Sequence, residues 1–185
     1  MRFDAERFTA DCRSALQGAD ASRHVRELVA RAVSEPGAIL EGLGAPTRGA
    51  IQALHRSDEL TILNVVWAPL MTIMPHDHRM WAVIGIYTGR EDNIFWRRVP
   101  EGTQGRVEAA SARALCEKDT ALLGAETIHS VTNPIGRLSG ALHVYGGDFF
   151  AAERSEWNPE SLLEQRYDVE RAVRLFEEAN RRSLQ

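Results

Sequence analysis

A mostly β fold, an antiparallel barrel or sandwich with helices attached at both ends, is what this sequence predicts, and three observations predict it. From Leu60 onward, β-branched and aromatic runs of strand length alternate with Gly, Pro and Asn. On either side of that stretch the apolar residues fall at helical spacing instead. The 185 residues, 44% hydrophobic and 26% charged, suit one globular unit with a sizeable core. Within that single domain we distinguish a helical segment, 1–50, a barrel, 51–155, and a second helical segment, 156–185.

At the N-terminus, Phe8, Leu16, Val25, Leu28, Val29 and Val33 recur at intervals that predict two helices between Arg2 and Ser34, broken at "QGADAS". "EPGAILEGLGAPTRG" then brings two prolines and four glycines into fifteen residues, a turn-rich link around one short helix. The strand candidates follow: "LTILNVVWAP", "MWAVIGIYTG", "NIFWRRV", "ALLGA" and "SGALHVYGGDFF". After "WNPES" the helical period returns, with Val169, Ala172, Val173, Phe176 and Ala179 on one face. That pattern predicts an amphipathic helix packed on the barrel.

Composition excludes several classes. A net charge of −4, with arginines scattered among acids, argues against nucleic acid and anionic membrane surfaces as partners. No apolar run approaches the roughly 20 residues of a membrane span, and the first residues lack the apolar centre of a signal peptide, so a cytoplasmic protein is expected. Cys12 and Cys116 are isolated, which suits a reducing compartment.

The chemistry concentrates in "PHDHRMWAVIGIYTG". On a strand, His76 and His78 project to the same face with roughly 7 Å between their Cα atoms, so both can reach one ion. Two ligands define a site poorly, and His129 in "GAETIHSVTNP" offers a third donor. His24 and His55 lie outside any such pattern and read as surface residues.

These two stretches resemble the paired metal motifs of the cupin superfamily, antiparallel double-stranded β-helices that hold a metal inside the barrel. The usual first motif also carries a glutamate about four residues past the second histidine, and here the window reads Arg79 to Val83 with no carboxylate. A three-histidine set of this kind resembles the cysteine dioxygenase branch, the thiol dioxygenases. The resemblance implies Fe(II) held by His76, His78 and His129, with a small thiol and O₂ as substrates. The same imidazoles would take Zn(II), Ni(II) or Mn(II).

In "SGALHVYGGDFF", His143 and Tyr145 share one strand face while Leu142 and Val144 share the other. The family relay of Ser, His and Tyr is matched by His143 and Tyr145 as catalytic residues, but its serine position is Ala141, leaving the outer end to another group such as Ser139. Arg56, upstream of the first barrel strand, is the candidate anchor for a substrate carboxylate, because a guanidinium offers two parallel donors. Arg79 is expected to face away from the site, and Asn133 to hold the turn after His129. The expected activity is therefore oxidation of a cysteine-like or mercapto-acid thiol to its sulfinate by a monomer or homodimer. The alternatives are another metal-dependent cupin reaction, dicarbonyl cleavage or isomerisation, or a barrel that binds metal or small ligands without turnover.

Overall fold

The computed structural model describes residues 2–100 and 105–183. Three helices come first: α1 (Ala5–Ala15), α2 (Ala21–Val33) and α3 (Pro36–Leu43). Eleven strands follow: β1 (Ala50–Arg56), β2 (Thr61–Trp67), β3 (Thr72–His76), β4 (Ala82–Thr88), β5 (Arg90–Arg98), β6 (Val107–Cys116), β7 (Thr120–Leu123), β8 (Ile128–Thr132), β9 (Ser139–Tyr145), β10 (Ser155–Trp157) and β11 (Glu164–Arg166). The chain ends in α4 (Val169–Arg182).

Local chemistry explains the boundaries. The Asp4 carboxylate accepts from the backbone N–H groups of Glu6 and Arg7, both at 3.0 Å, and caps α1. Asp168 does the same for α4 through Arg171. Pro36 opens α3 at a position where no N–H is needed. Between β4 and β5 the chain reverses at Gly89, whose φ of 82° is left-handed and open to glycine without strain.

All strand pairs are antiparallel, in two sheets ordered β1-β2-β9-β4-β7 and β11-β10-β3-β8-β5-β6. The chain passes repeatedly from one sheet to the other, which makes the fold the expected double-stranded β-helix. One apolar core, including Leu63, Trp67, Ile84, Leu115 and Phe176, lies between the sheets. A second, including Phe8, Val25, Val29, Ile62, Val83 and Leu142, lies between the five-stranded sheet and α1–α3. No helix among the described residues is long and apolar enough to cross a membrane.

Three features differ from expectation. β6, "VEAASARALC", is a strand that its Ala, Ser and charged residues do not announce. The segment 156–185 is not helical from its start, because β10 and β11 extend the six-stranded sheet before α4 begins. On α4, Ala172, Phe176 and Ala179 are buried, whereas Val169 and Val173 stay half exposed beside a groove.

Candidate metal centre and its relay

His76 and His129 stand directly opposite each other on β3 and β8. His78 reaches them from a different position than expected, since β3 ends at His76 and His78 lies in the following loop. The intervening Asp77 ties that loop down. Its N–H donates to the Ser155 carbonyl, and its buried carboxylate accepts from the Ser155 N–H at 2.9 Å and pairs with Arg79 at 2.9 Å. Arg79 itself adopts a left-handed φ of 56°, which turns the chain back toward β4. A regular strand would have pointed His78 by alternation; here a pinned loop does so. Arg79 faces away from the histidines, as expected, and pairs with Asp77.

The ligand nitrogens of His76, His78 and His129 lie within 4.8 Å of one another, and all three residues are buried. His76 donates its Nδ1–H to the Met74 carbonyl at 3.0 Å, and His129 donates its own to Asn93 Oδ1 at 2.7 Å, so each presents Nε2 inward. The Nε2 atoms of His78 and His129 are 3.4 Å apart, while His78 Nδ1 has no partner. Burial lowers the pKa of His76 to about 4. Burial and the proximity of the other two rings push His78 well down, and burial with the nearby His76 does the same for His129. Three neutral imidazoles aimed at one point, with no carboxylate among them, fit a divalent transition-metal cation.

A second constellation adjoins the first. His143 and Tyr145 both lie on β9 and line the histidine cavity, with Tyr145 Oη 3.0 Å from His143 Nδ1. The outer end of this relay is neither Ala141 nor Ser139. Ser139 donates to Asn133 and accepts from the Arg90 N–H, and Asn133 holds the turn through three backbone carbonyls. The outer end is Glu91 of β5, fully buried, with its Oε2 3.3 Å from His143 Nε2. Trp67 Nε1 donates to the same carboxylate at 2.8 Å and Asn93 Nδ2 at 3.1 Å. Burial alone would raise Glu91, but His143, Asn93 and Trp67 together hold it below its ordinary value.

This arrangement sets the protons. His143 Nε2 faces the acceptor-only Glu91 carboxylate at ion-pair distance without hydrogen-bond alignment, and a neutral ring with its hydrogen on that side receives the Tyr145 hydroxyl hydrogen at Nδ1. The Tyr145 oxygen therefore offers lone pairs to the cavity, and burial raises its pKa, keeping it neutral. Asn93 connects the two halves, from Glu91 to the ring of His129. Sequence reasoning missed Glu91 and Asn93. Nothing in "REDNIFW" marks them, because Glu91 and Asn93 are buried and Ile94 is exposed, the reverse of what residue type predicts.

Arg56 is not brought to this site. It ends β1, half exposed, and is held away by a two-pronged pair with Asp148 at 2.9–3.0 Å and by the face of Phe150. The bidentate geometry of that pair already satisfies the guanidinium. Arg154, which sequence spacing does not distinguish, is a cation close enough to act on His76 and His78. It is 7% exposed, lies 3.9 Å over the Phe149 ring and 4.0 Å over the Tyr167 ring, and its Nη1 has no hydrogen-bond partner. Phe149 packs on Tyr145, and Tyr167 on His76. Of the two histidines set aside, His24 is exposed and His55 is half buried.

Fold and site together define a double-stranded β-helix with three convergent histidines. No protein-family model matches the chain. Among solved structures, it is similar to a protein from Bacillus halodurans, at 16% identity over 63% of this chain and 77% of that one, with a TM-score of 0.48. It is also similar to an RmlC-like cupin family protein from Methanocaldococcus jannaschii, at 11% identity over 57% and 85% of the two chains, with a TM-score of 0.46. A third is an oxalate decarboxylase from Bacillus subtilis with Mn(II) centres, at 18% identity over 50% of this chain and a TM-score of 0.39. The chain spans 22% of the length of that decarboxylase.

Proposed function

We propose that the protein is a mononuclear non-haem iron dioxygenase, cytoplasmic and a monomer or homodimer, that combines a small mercapto acid, RSH, with O₂ to give the sulfinic acid, RSO₂H. The observation that carries this reading is the Tyr145–His143–Glu91 relay opening into the same cavity as the three histidines. His76, His78 and His129 would hold the metal. Bound there, Fe(II) would supply adjacent open positions for an anionic thiolate and dioxygen, with no protein anion competing.

The relay would remove the thiol proton. Tyr145 Oη accepts it while its own hydroxyl proton passes to His143 Nδ1. Tyr145 ends neutral, as its buried position demands, and the new imidazolium is stabilised by the Glu91 carboxylate beside it. Arg154 takes the role first assigned to Arg56, binding the substrate carboxylate with a donor that has no protein partner. It is buried and stacked between Phe149 and Tyr167, which themselves line the histidine cavity.

Oxygen consumption by the anaerobically iron-loaded protein tests this reading, with Mn(II)-, Zn(II)- and Ni(II)-loaded protein as controls. Uptake is expected with 3-mercaptopropionate or cysteine, matched by sulfinate, and much less with cysteamine, which has no carboxylate. Uptake with acetylacetone alone would instead assign carbon–carbon cleavage of a dicarbonyl, and bound iron without uptake from any of these would favour a binding protein.

A further inference from the structure

The free space around the three histidines is about 30 Å³, little more than an ordered water requires. Beside it lies a cavity of about 480 Å³, within the usual range of a small-molecule site. Ile51, Phe149 and Tyr167 line both, so the two spaces share a wall. Helix α4 forms the far side. Of the seven large apolar residues exposed on the described surface, four, Ile51, Phe150, Val169 and Val173, border this one cavity. Scattered exposed apolar residues are ordinary, but their concentration around a concave space marks a ligand surface.

The wall is built to stay in place. Asn180 exchanges two hydrogen bonds with the backbone of Gly49, at 2.7 and 2.9 Å, and Phe176 stacks on Trp67 at 5.5 Å. Arg154 lines the same cavity, as do the exposed Arg48 and Glu177, and its Nη1, shielded from solvent, has no hydrogen-bond partner. An apolar chamber with one buried, unsatisfied cation fits a ligand that is hydrophobic along its body and carries one carboxylate.

We propose that the α4 groove binds an apolar substituent of the substrate, so that the preferred ligand is a branched, hydrophobic mercapto carboxylate and not the bare two- or three-carbon acid. The carboxylate sits on Arg154, the thiol arm points past Phe149 and Tyr167 to the histidines, and the apolar arm lies against Ile51, Phe150 and Val173. This rests on the mercapto-acid reading above for the thiol arm, while the carboxylate and apolar arms stand on the groove itself.

Calorimetric titration with thiol-free probes tests it without turnover, using the purified protein both metal-loaded and after chelator treatment. 3-Phenylpropanoate should bind about 30-fold more tightly than propanoate, the gain expected for burying one ring. The neutral 3-phenylpropanamide should bind at least about tenfold more weakly than the acid, as should the acid to Arg154→Gln. Val173→Trp, a change at a half-exposed position, should remove the advantage of the phenyl group. Equal affinity for the two acids, or an undiminished preference in Val173→Trp, would overturn the groove assignment, and equal affinity for acid and amide would overturn the role of Arg154. A phenyl preference without thiol oxidation would support the groove while removing the dioxygenase reading. Thiol oxidation without the preference would do the reverse.

Discussion

Strand β9 is buried along its whole length, whereas β6 is exposed everywhere except Val107 and Leu115. The two belong to different sheets, and the difference comes from what lies outside each. Helices α1–α3 cover the five-stranded sheet, so both faces of β2, β4 and β9 pack against apolar neighbours. At β6 no described residue covers positions 108–114, which are exposed on both faces. The proposed active site spans the two environments. His76 and His129 come from the six-stranded sheet, with His78 from the loop after β3, while His143 and Tyr145 come from the helix-backed one. The contrast explains the N-terminal helices, which the sequence announces without giving them a task. They exclude water from the back of the strand that carries the relay.

The largest expected effect lies on the ligand side. His129→Ala should abolish stoichiometric metal binding and all oxygen uptake, with an unchanged far-ultraviolet circular dichroism spectrum. Retention of a full equivalent of metal by elemental analysis would remove His129 from the site. On the relay side, Tyr145→Phe should keep the metal and lower kcat by roughly 10²- to 10⁴-fold, the range for a positioned proton acceptor, with little change in KM. Glu91→Gln keeps an acceptor for Trp67 and removes the charge opposite His143, so a loss of about tenfold in kcat is expected. Equal activity in Glu91→Gln and the unaltered protein would make Glu91 a packing residue.

Legibility in the sequence follows the same division. Buried strands such as β2 and β9 read directly, because continuous β-branched and aromatic runs have no other use at that length. β6 does not, since an exposed edge strand is held by its pairing with β5 and its side chains need no apolar character. The convergence of the three histidines was legible, because a residue type suited to metal ligation recurs there at close spacing. Glu91 was not, because nothing local distinguishes a buried carboxylate from the exposed ones around it; only the fold, which sets β5 beside β8 and brings Glu91 against His143 of β9, gives it a partner. Arg154 was hidden for the same reason, and Arg56 was misread because its partner Asp148 lies 92 residues away.

The helix layer can be tested at Gly85, on the face of β4 that meets α2. A Cβ there would stand 2.4 Å from Val29 Cγ1 and 2.9 Å from Val33 Cγ1. Gly85→Val should therefore cost about 1–3 kcal/mol by overpacking, a fall of roughly 2–4 °C in Tm for each kcal/mol. Cys12 of α1 reports on the same layer. Burial, with a contribution from Asp11, pushes its thiol up to about 12, so near pH 8 almost none is thiolate, and Cys116 is the exposed alternative. Native protein should take one alkyl label quickly and the second only as the helices open, with Gly85→Val accelerating the second. Two rapid labels in the unaltered protein would show that the helices do not seal the sheet.

The smallest effect is expected on the open face. Ala112 of β6 stands opposite Ile94 of β5, and both are exposed. Ala112→Val adds a β-branched partner across the ladder where there is nothing to overpack, so a gain of about 0.2–1 kcal/mol is expected in the denaturant midpoint. The sign carries the information. Gly85→Val adds three carbons and Ala112→Val two, but the sign of the effect turns on what lies outside the sheet, and a loss at Ala112 comparable to that at Gly85 would mean that this face, too, is covered in solution.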